Sequence, residues 1–277
     1  MSFKIVVDSS ANLLEFPGID ITSVPLKIVT DQQEFVDDAG LDIQCMLNYL
    51  SAYKGKSGTS CPNVGEWLEA FGDADLIFAI AITSNLSGAY NALVQAKAEY
   101  EQSYPGRRVC TLDSLSTGPE MALIAEKIRE LIHEGKEFDE IERETREYMT
   151  HTHLLFSLES LNNLARNGRV SPLVAKVAGV LGIRVVGKAS DVGTLQPLHK
   201  IRGEARALAG LVEEMQKTGF HGGKVRIDHC ENRTAAENLA GLIRAEFPDS
   251  DIQIGVCRGL CCFYAERGGL LIGFESV

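Results

Sequence analysis

The 277-residue sequence lacks any uninterrupted apolar run of the roughly 18 to 20 residues that cross a bilayer. It also lacks an excess of positive charge, since 27 Lys and Arg stand against 38 Asp and Glu, for a net charge of -11 and a pI near 5.1. Nucleic-acid binding needs a basic surface and is therefore disfavoured. The opening Met1-Ser2-Phe3-Lys4 shows no export signal, so we expect a soluble, cytoplasmic protein.

Disulfide frameworks and zinc motifs are also missing. Seven cysteines are an odd number, and their positions show no disulfide-type spacing. The densest group, Cys257, Cys261 and Cys262, matches no zinc pattern and has no histidine close to it in the sequence. We therefore expect reduced, mostly buried thiols and no metal site.

Two catalytic motifs are incomplete. Gly55-Lys56-Ser57 lacks the glycine five positions earlier that a phosphate-binding P-loop requires, and it follows a predicted helix instead of a strand. Ser87 lacks the flanking glycines of a nucleophile elbow. A base distant in the sequence, such as His153 or His229, leaves covalent catalysis by Ser87 open as an alternative.

The length and an apolar content of 45% are enough to bury two cores. In the first half, strands alternate with helices, which predicts a parallel sheet flanked by helices over residues 1–150. The run Leu76–Ile82 is apolar on both faces and is typical of a central strand. Pro25 interrupts the run Ile21–Val29 and favours a sheet edge there.

The pattern changes near residue 150, where we place the domain boundary. Residues 151–277 predict a second α/β domain with a mixed or antiparallel sheet, because two strand-like runs flank the turn Ser190-Asp191-Val192-Gly193. The segment Leu173–Leu181 is apolar nearly all round, which is typical of a buried helix and equally of a wall around an alkyl tail.

Small hydroxyl residues mark four turns in the first half of the chain: Asp8-Ser9-Ser10, Thr59-Ser60-Cys61-Pro62, Ser84-Asn85-Leu86-Ser87-Gly88 and Asp113-Ser114. Three follow strand-like runs, and loops after parallel strands gather at one edge of the sheet. Hydroxyls and helix N-termini there suit an anionic group. The alternative is that each hydroxyl is an ordinary helix cap.

A pair of arginines follows later in the chain. Arg166-Asn167-Gly168-Arg169 places two cations on either side of a tight turn. Such a turn is usually a solvated loop, but it could also hold a phosphate or the acidic face of a partner.

Five stretches in order resemble the DegV family of bacterial fatty-acid-binding proteins over nearly the whole chain. They are Val6-Val7-Asp8-Ser9-Ser10, Thr59-Ser60-Cys61-Pro62, Leu86-Ser87-Gly88-Ala89-Tyr90, the run from Leu161 to Val170, and Gly193-Thr194-Leu195-Gln196-Pro197-Leu198 leading to Lys200-Ile201-Arg202. Each stretch alone is common, whereas the ordered set is specific.

The resemblance implies a carrier and no enzyme or cofactor. A long-chain fatty acid would lie in a tunnel between two domains, and its carboxylate would be presented to a separate fatty acid kinase that makes an acyl phosphate for phospholipid synthesis. By this likeness Thr59 and Ser87 would bind the carboxylate, helped by Ser60 and Gly88. Arg169 and Arg202 would lie near the mouth, where a phosphate or the kinase docks.

Two departures from the family pattern stand out. Ala89 replaces the usual threonine, and Tyr264-Ala265-Glu266-Arg267-Gly268 stands where the family has His-x-Gly-Pro-Gly, whose histidine contacts the carboxylate. Tyrosine donates one hydrogen bond but is neutral at neutral pH. Either Tyr264 replaces the histidine, or Arg258 or Arg267 supplies a cation, or the ligand differs.

Two further functions stay open on the sequence. One is a hydrolase or phosphate-handling enzyme that uses Ser87. The other is a DegV-like protein that has lost lipid binding together with the histidine.

Overall fold

The computed structural model describes residues 2–171 and 182–276, so the predicted helix Leu173–Leu181 lies outside the described residues. The described strands are β1 Phe3–Asp8, β2 Ile21–Val24, β3 Lys27–Thr30, β4 Glu34–Val36, β5 Ser57–Ser60, β6 Leu76–Ala81, β7 Arg108–Asp113, β8 Thr152–Leu158, β9 Ile183–Ala189, β10 Leu195–Arg202, β11 Lys224–His229, β12 Asp251–Val256 and β13 Leu270–Glu275.

The described α-helices are α1 Ile43–Ala52, α2 Val64–Phe71, α3 Ala89–Ser103, α4 Pro119–His133, α5 Phe138–Tyr148, α6 Asn162–Arg166, α7 Glu204–Lys217, α8 Arg233–Glu246 and α9 Gly259–Ala265. Over these two ranges, no helix combines the length and apolar character needed to traverse a bilayer.

A four-stranded parallel sheet forms the first layer, in the order β2-β1-β6-β7. Every residue of β6 is buried, because helices cover both faces of the sheet. The parallel α/β prediction for this half is therefore confirmed, and β2 lies at the sheet edge as Pro25 indicated.

The single strand predicted over Ile21–Val29 is wrong. Pro25 separates β2 from β3, and β3 leaves the parallel sheet to join a small antiparallel sheet in the order β4-β3-β5. Thr59 and Ser60 therefore lie in a strand and not in a turn. The following helix, α2, starts at Val64, because Asn63 and Glu66 form a capping box there.

A six-stranded mixed sheet, in the order β10-β9-β8-β13-β11-β12, is built entirely after residue 151. β9 and β10 form the antiparallel hairpin predicted around Ser190–Gly193, whereas β11 and β12 are parallel. This arrangement confirms the mixed α/β sheet expected in the second half.

Helix α4 joins the two large sheets. It begins at Pro119 after Gly118, whose φ of +60° is a conformation that favours glycine. Glu126 on α4 binds the buried Arg226 of β11 through two hydrogen bonds of 2.7 Å. At Gly273 of β13 a Cβ would lie 2.6 Å from the backbone nitrogen of Glu120, so glycine permits the close approach of helix and sheet.

Candidate functional site

An apolar cavity lies where the three sheets meet. Its atom-free space is about 670 Å³, counting the open mouth. One row of β8 side chains, Leu154, Phe156 and Leu158, faces it at the two-residue spacing of a strand. The described lining consists of Leu26, Thr59, Ile82, Leu86, Ser87, Thr117, Leu154, Phe156, Leu158, Leu164, Arg169, Leu195, Leu260, Cys261, Tyr264, Ala265 and Leu271.

Two hydroxyls from distant parts of the chain pair at this cavity. The Thr59 Oγ1 atom on β5 lies 2.8 Å from the hydroxyl oxygen of Tyr264 on α9. Either hydroxyl can donate, and one donated hydrogen leaves the other free for a ligand. The structure therefore brings the predicted site residue Tyr264 next to the predicted site residue Thr59.

Ser87 lies in the loop that leads into α3. Its Oγ atom accepts a hydrogen bond of 3.2 Å from the backbone N–H of Ala89, but the N-cap of α3 is Gly88, so Ser87 is not the helix cap. Among the described residues, no atom accepts a hydrogen bond from the Ser87 hydroxyl. No described imidazole or carboxylate hydrogen-bonds Ser87.

Arg169 supplies the only charged side chain among the described cavity-lining residues. Its Nε atom donates to the carbonyl of Leu86 at 3.1 Å, and its Nη1 atom donates to the carbonyl of Asn167. The guanidinium is therefore held in place beside the Ser87 loop. Its Nη2 atom has no hydrogen-bond partner within residues 2–171 and 182–276.

The two other candidate cations are engaged elsewhere. The Arg258 Nε atom lies 3.6 Å from the Asp37 carboxylate, and Arg267 pairs with Glu231 at 2.5 Å. Neither arginine is part of the described cavity lining.

Three predicted site residues lie outside the described lining. Ser60 is exposed at the end of β5, and Gly88 is exposed at the start of α3. A Cβ at Gly88 would lie 3.2 Å from the Cys61 sulfur, so this glycine allows the two loops to approach closely. Arg202 is exposed at the end of the edge strand β10.

The other two hydroxyl turns serve the fold and do not line the cavity. The Asp8 carboxylate accepts backbone hydrogen bonds from Ile82 at 2.7 Å and from Ser10 at 3.1 Å. Complete burial raises the pKa of Asp8 to about 6. Asp113 accepts from the backbone of Ser84 at 3.1 Å and thereby ties β7 to the Ser87 loop.

All seven cysteines are free. Cys261 lines the cavity, and its sulfur contacts the Thr117 hydroxyl at 3.7 Å. Burial raises the pKa of the Cys261 thiol, which keeps it protonated and unreactive. Within the described ranges, no group of three metal-ligating side chains comes together.

Apart from Tyr264, sequence reasoning missed the cavity wall contributed by Thr117 and α9. Four residues of this short helix, Leu260, Cys261, Tyr264 and Ala265, line the cavity. The apolar run Gly-Leu-Cys-Cys-Phe-Tyr-Ala was the available signal, but its cysteines drew attention to metal binding instead.

The fold and site together define an α/β protein with an internal apolar cavity and a small set of hydrogen-bond donors along its wall. A family profile described as "Uncharacterised protein, DegV family" matches residues 2–276. A DegV domain-containing protein of Streptococcus pneumoniae is 41% identical over 279 residues, covering 99% of each chain. The chain belongs to the DegV family.

Solved structures show the same fold. A DegV family protein from Eubacterium eligens loaded with heptadecanoic acid is 44% identical, with a TM-score of 0.98 over 100% of both chains. The Streptococcus pneumoniae Fatty Acid Kinase (Fak) B3 protein loaded with linoleic acid is 40% identical, also with a TM-score of 0.98 over 100% of both chains. A Ruminococcus gnavus DegV protein with vaccenic acid is 27% identical, with a TM-score of 0.91 over 99% of this chain and 100% of that one.

Proposed function

We propose that the protein binds one long-chain fatty acid in the cavity and holds its carboxylate among Thr59, Ser87, Arg169 and Tyr264. The proposal rests on one observation. The cavity is apolar, and its few polar side chains are mainly hydrogen-bond donors that have a hydrogen available for a ligand. The fatty acids in the Eubacterium eligens and Streptococcus pneumoniae structures support it.

The donors match the needs of a carboxylate. The Thr59–Tyr264 pair offers one hydrogen, Ser87 offers a second, and the Arg169 guanidinium adds charge-assisted donors. A buried carboxylate without such bonds would cost several kcal/mol. Tyr264 thus takes the place of the family histidine as a donor, while Arg169 supplies the positive charge.

The apolar wall accounts for retention of the chain. Burying a sixteen-carbon tail at about 0.8 kcal/mol per methylene contributes on the order of 12 kcal/mol before the costs of association. The hydrogen bonds at the head then orient the ligand and select an acid over a neutral lipid.

We further propose that the protein presents the carboxylate to a separate fatty acid kinase and does not itself catalyse a reaction. The similar Streptococcus pneumoniae protein is the Fatty Acid Kinase (Fak) B3 protein. Exposed Arg202 is suited to contact the kinase or the transferred phosphate, with Ser60 and Gly88 at the surface beside the donors. In this scheme residues 1–150 and 151–277 are two domains with the ligand between them.

Lipid occupancy tests the binding proposal directly. Protein purified from bacteria is denatured and extracted, and mass spectrometry measures bound fatty acid per chain. We expect stoichiometric fatty acid in the wild type and clear loss in Ser87→Ala. Ser51→Ala, which removes an exposed hydroxyl that bonds the Asn48 carbonyl, is the matched control. Well-folded wild-type protein without lipid that also fails to take up added fatty acid refutes the proposal.

A coupled assay tests the presentation to a kinase. The loaded protein is mixed with ATP and a purified bacterial fatty acid kinase, and acyl phosphate is measured. We expect product only when both proteins are present, and slower formation with Arg202→Ala at unchanged lipid occupancy. Acyl phosphate formed by this chain alone would show that it is an enzyme.

A further inference from the structure

Asp37, directly after β4, is a fully buried carboxylate. Its two oxygens accept hydrogen bonds of 2.8 Å from the backbone N–H groups of Gly259 and Leu260, the first two residues of α9. Its own N–H donates to the carbonyl of Leu26 at 2.9 Å. A carboxylate from the small sheet therefore binds the start of α9, 222 residues further along the chain.

Gly259 makes this contact possible. A Cβ at this position would lie 2.8 Å from Asp37 Oδ1 and 2.6 Å from a methyl carbon of Leu41. Both distances are shorter than real Cβ contacts, so a larger residue would push α9 away from the carboxylate. Glycine at position 259 therefore lets the N-terminus of α9 lie close enough to hydrogen-bond Asp37.

The same small sheet also carries Thr59. Strand β3 pairs with β5 through Ile28 and Thr59 and with β4 through Ile28 and Phe35, two residues before Asp37. Asp37 and Thr59 are therefore fixed relative to each other by backbone hydrogen bonds. Asp37 binds the start of α9, and Thr59 binds Tyr264 near its end.

Burial raises the pKa of Asp37, and the contacts of its carboxylate offset part of that cost. The two backbone N–H donors of α9 and the Arg258 guanidinium, 3.6 Å from Oδ1 of Asp37, stabilise the ionised form. Asp8 is a second buried carboxylate in the vicinity, and its pKa is raised to about 6 mainly by burial and also by the charge of Asp37. The two backbone donors and Arg258 together hold Asp37 in place.

We propose that Asp37 is a positioning residue for the carboxylate site: it fixes α9 on the small sheet so that the Tyr264 hydroxyl stays within hydrogen-bonding distance of Thr59. Asp37 does not touch the ligand. It acts through the helix that carries Tyr264, and this role rests on the fatty-acid-binding function proposed above.

A double-mutant cycle tests the coupling. The dissociation constant of heptadecanoic acid is measured for delipidated wild type, Asp37→Asn, Tyr264→Phe and the double variant. Each single change removes or misplaces a hydrogen bond to a charged group, so we expect it to weaken binding by roughly tenfold or more. The dissociation constant of the double variant should not exceed the higher of the two single-variant values, because both changes remove the same hydrogen bond.

Controls separate positioning from general destabilisation. Glu120→Gln also replaces a buried carboxyl by an amide, but on α4, and should leave the affinity unchanged. Methyl heptadecanoate lacks the carboxylate, so its binding should change little in Asp37→Asn. If Asp37→Asn does not fold, Asp37→Ser, which keeps a helix-capping oxygen, replaces it in the cycle.

The outcomes are distinct. Wild-type protein that fails to bind heptadecanoic acid overturns the proposed function itself. A different result is that the wild type binds but the fold-losses in affinity of the two single changes multiply in the double variant. That result overturns only the role of Asp37. An equal loss of acid and methyl ester affinity in the Asp37 variant would also overturn it, since positioning of Tyr264 concerns the head group.

Discussion

The hydroxyls of Tyr264 and Thr59 lie 2.8 Å apart although 205 residues separate them in the chain. This hydrogen bond joins the small antiparallel sheet to α9 at the wall of the cavity. Because one of the two hydroxyl hydrogens lies between the oxygens, one hydroxyl hydrogen of the pair is left for a further acceptor.

Thr59→Val removes that arrangement while keeping the shape of the side chain. We expect fatty acid binding to weaken by about tenfold, since Tyr264 loses its partner and its orientation. Isothermal titration calorimetry with heptadecanoic acid gives the affinity. Thr59→Ser retains the hydroxyl and should stay near wild type, and equal losses in the two variants would contradict this account.

Glu120→Gln tests the pH dependence of stability. Complete burial raises the pKa of Glu120 from 4.5 to about 7, partly offset by its hydrogen bond from Thr152. The folded state therefore binds this proton more tightly than the unfolded state, and the free energy of unfolding falls as pH rises from about 4.5 to 7.

The glutamine variant should lose this part of the pH dependence. We expect its change in unfolding free energy between pH 4.5 and pH 8 to be smaller than that of the wild type by roughly 2–3 kcal/mol. Urea unfolding at a series of pH values measures it. Parallel pH curves for the two proteins would contradict an ionising Glu120.

Glu126→Gln breaks a buried ion pair between α4 and the mixed sheet. The Glu126 and Arg226 side chains are 8% and 7% exposed, so the buried arginine would keep only the exposed Asp251, at 2.8 Å, as a carboxylate partner. We expect a loss of about 3 kcal/mol in unfolding free energy. Glu142→Gln, which breaks the more exposed pair with Arg146, should cost less than about 1 kcal/mol. Similar losses in both would contradict the difference in burial.

Thiol labelling reports the burial of the cysteines. Cys45 is exposed, Cys61 is half-buried and the other five are buried. With Ellman's reagent we expect Cys45 to react first, Cys61 more slowly and the remaining five only after denaturation. Rapid reaction of Cys261 in lipid-loaded protein would show that the cavity wall is open at α9.

The parallel layer could be predicted from the sequence because its signal is local. Strand β6 is a continuous apolar run, and the helices beside it have a clear apolar spacing. The hairpin at Ser190–Gly193 was predictable for the same reason, since turn residues separate two strand-like runs.

The small sheet could not be predicted in this way. Strand β5 is Ser57-Gly58-Thr59-Ser60, without an apolar residue, and β4 has only three residues. Both exist because they pair with β3 on either side, which is a tertiary effect that overrides local preference. The contacts of Asp37 with α9 and of Thr59 with Tyr264 depend on this sheet, so local sequence patterns could not predict them.

The cavity wall draws on residues from Leu26 to Leu271, nearly the full span of the polypeptide. No fragment cut at the middle of the chain contains a complete binding chamber. Ligand affinity should therefore appear only at the last stage of refolding, when both halves of the chain are folded. A bound fatty acid contacts both halves and should therefore raise the cooperativity of unfolding.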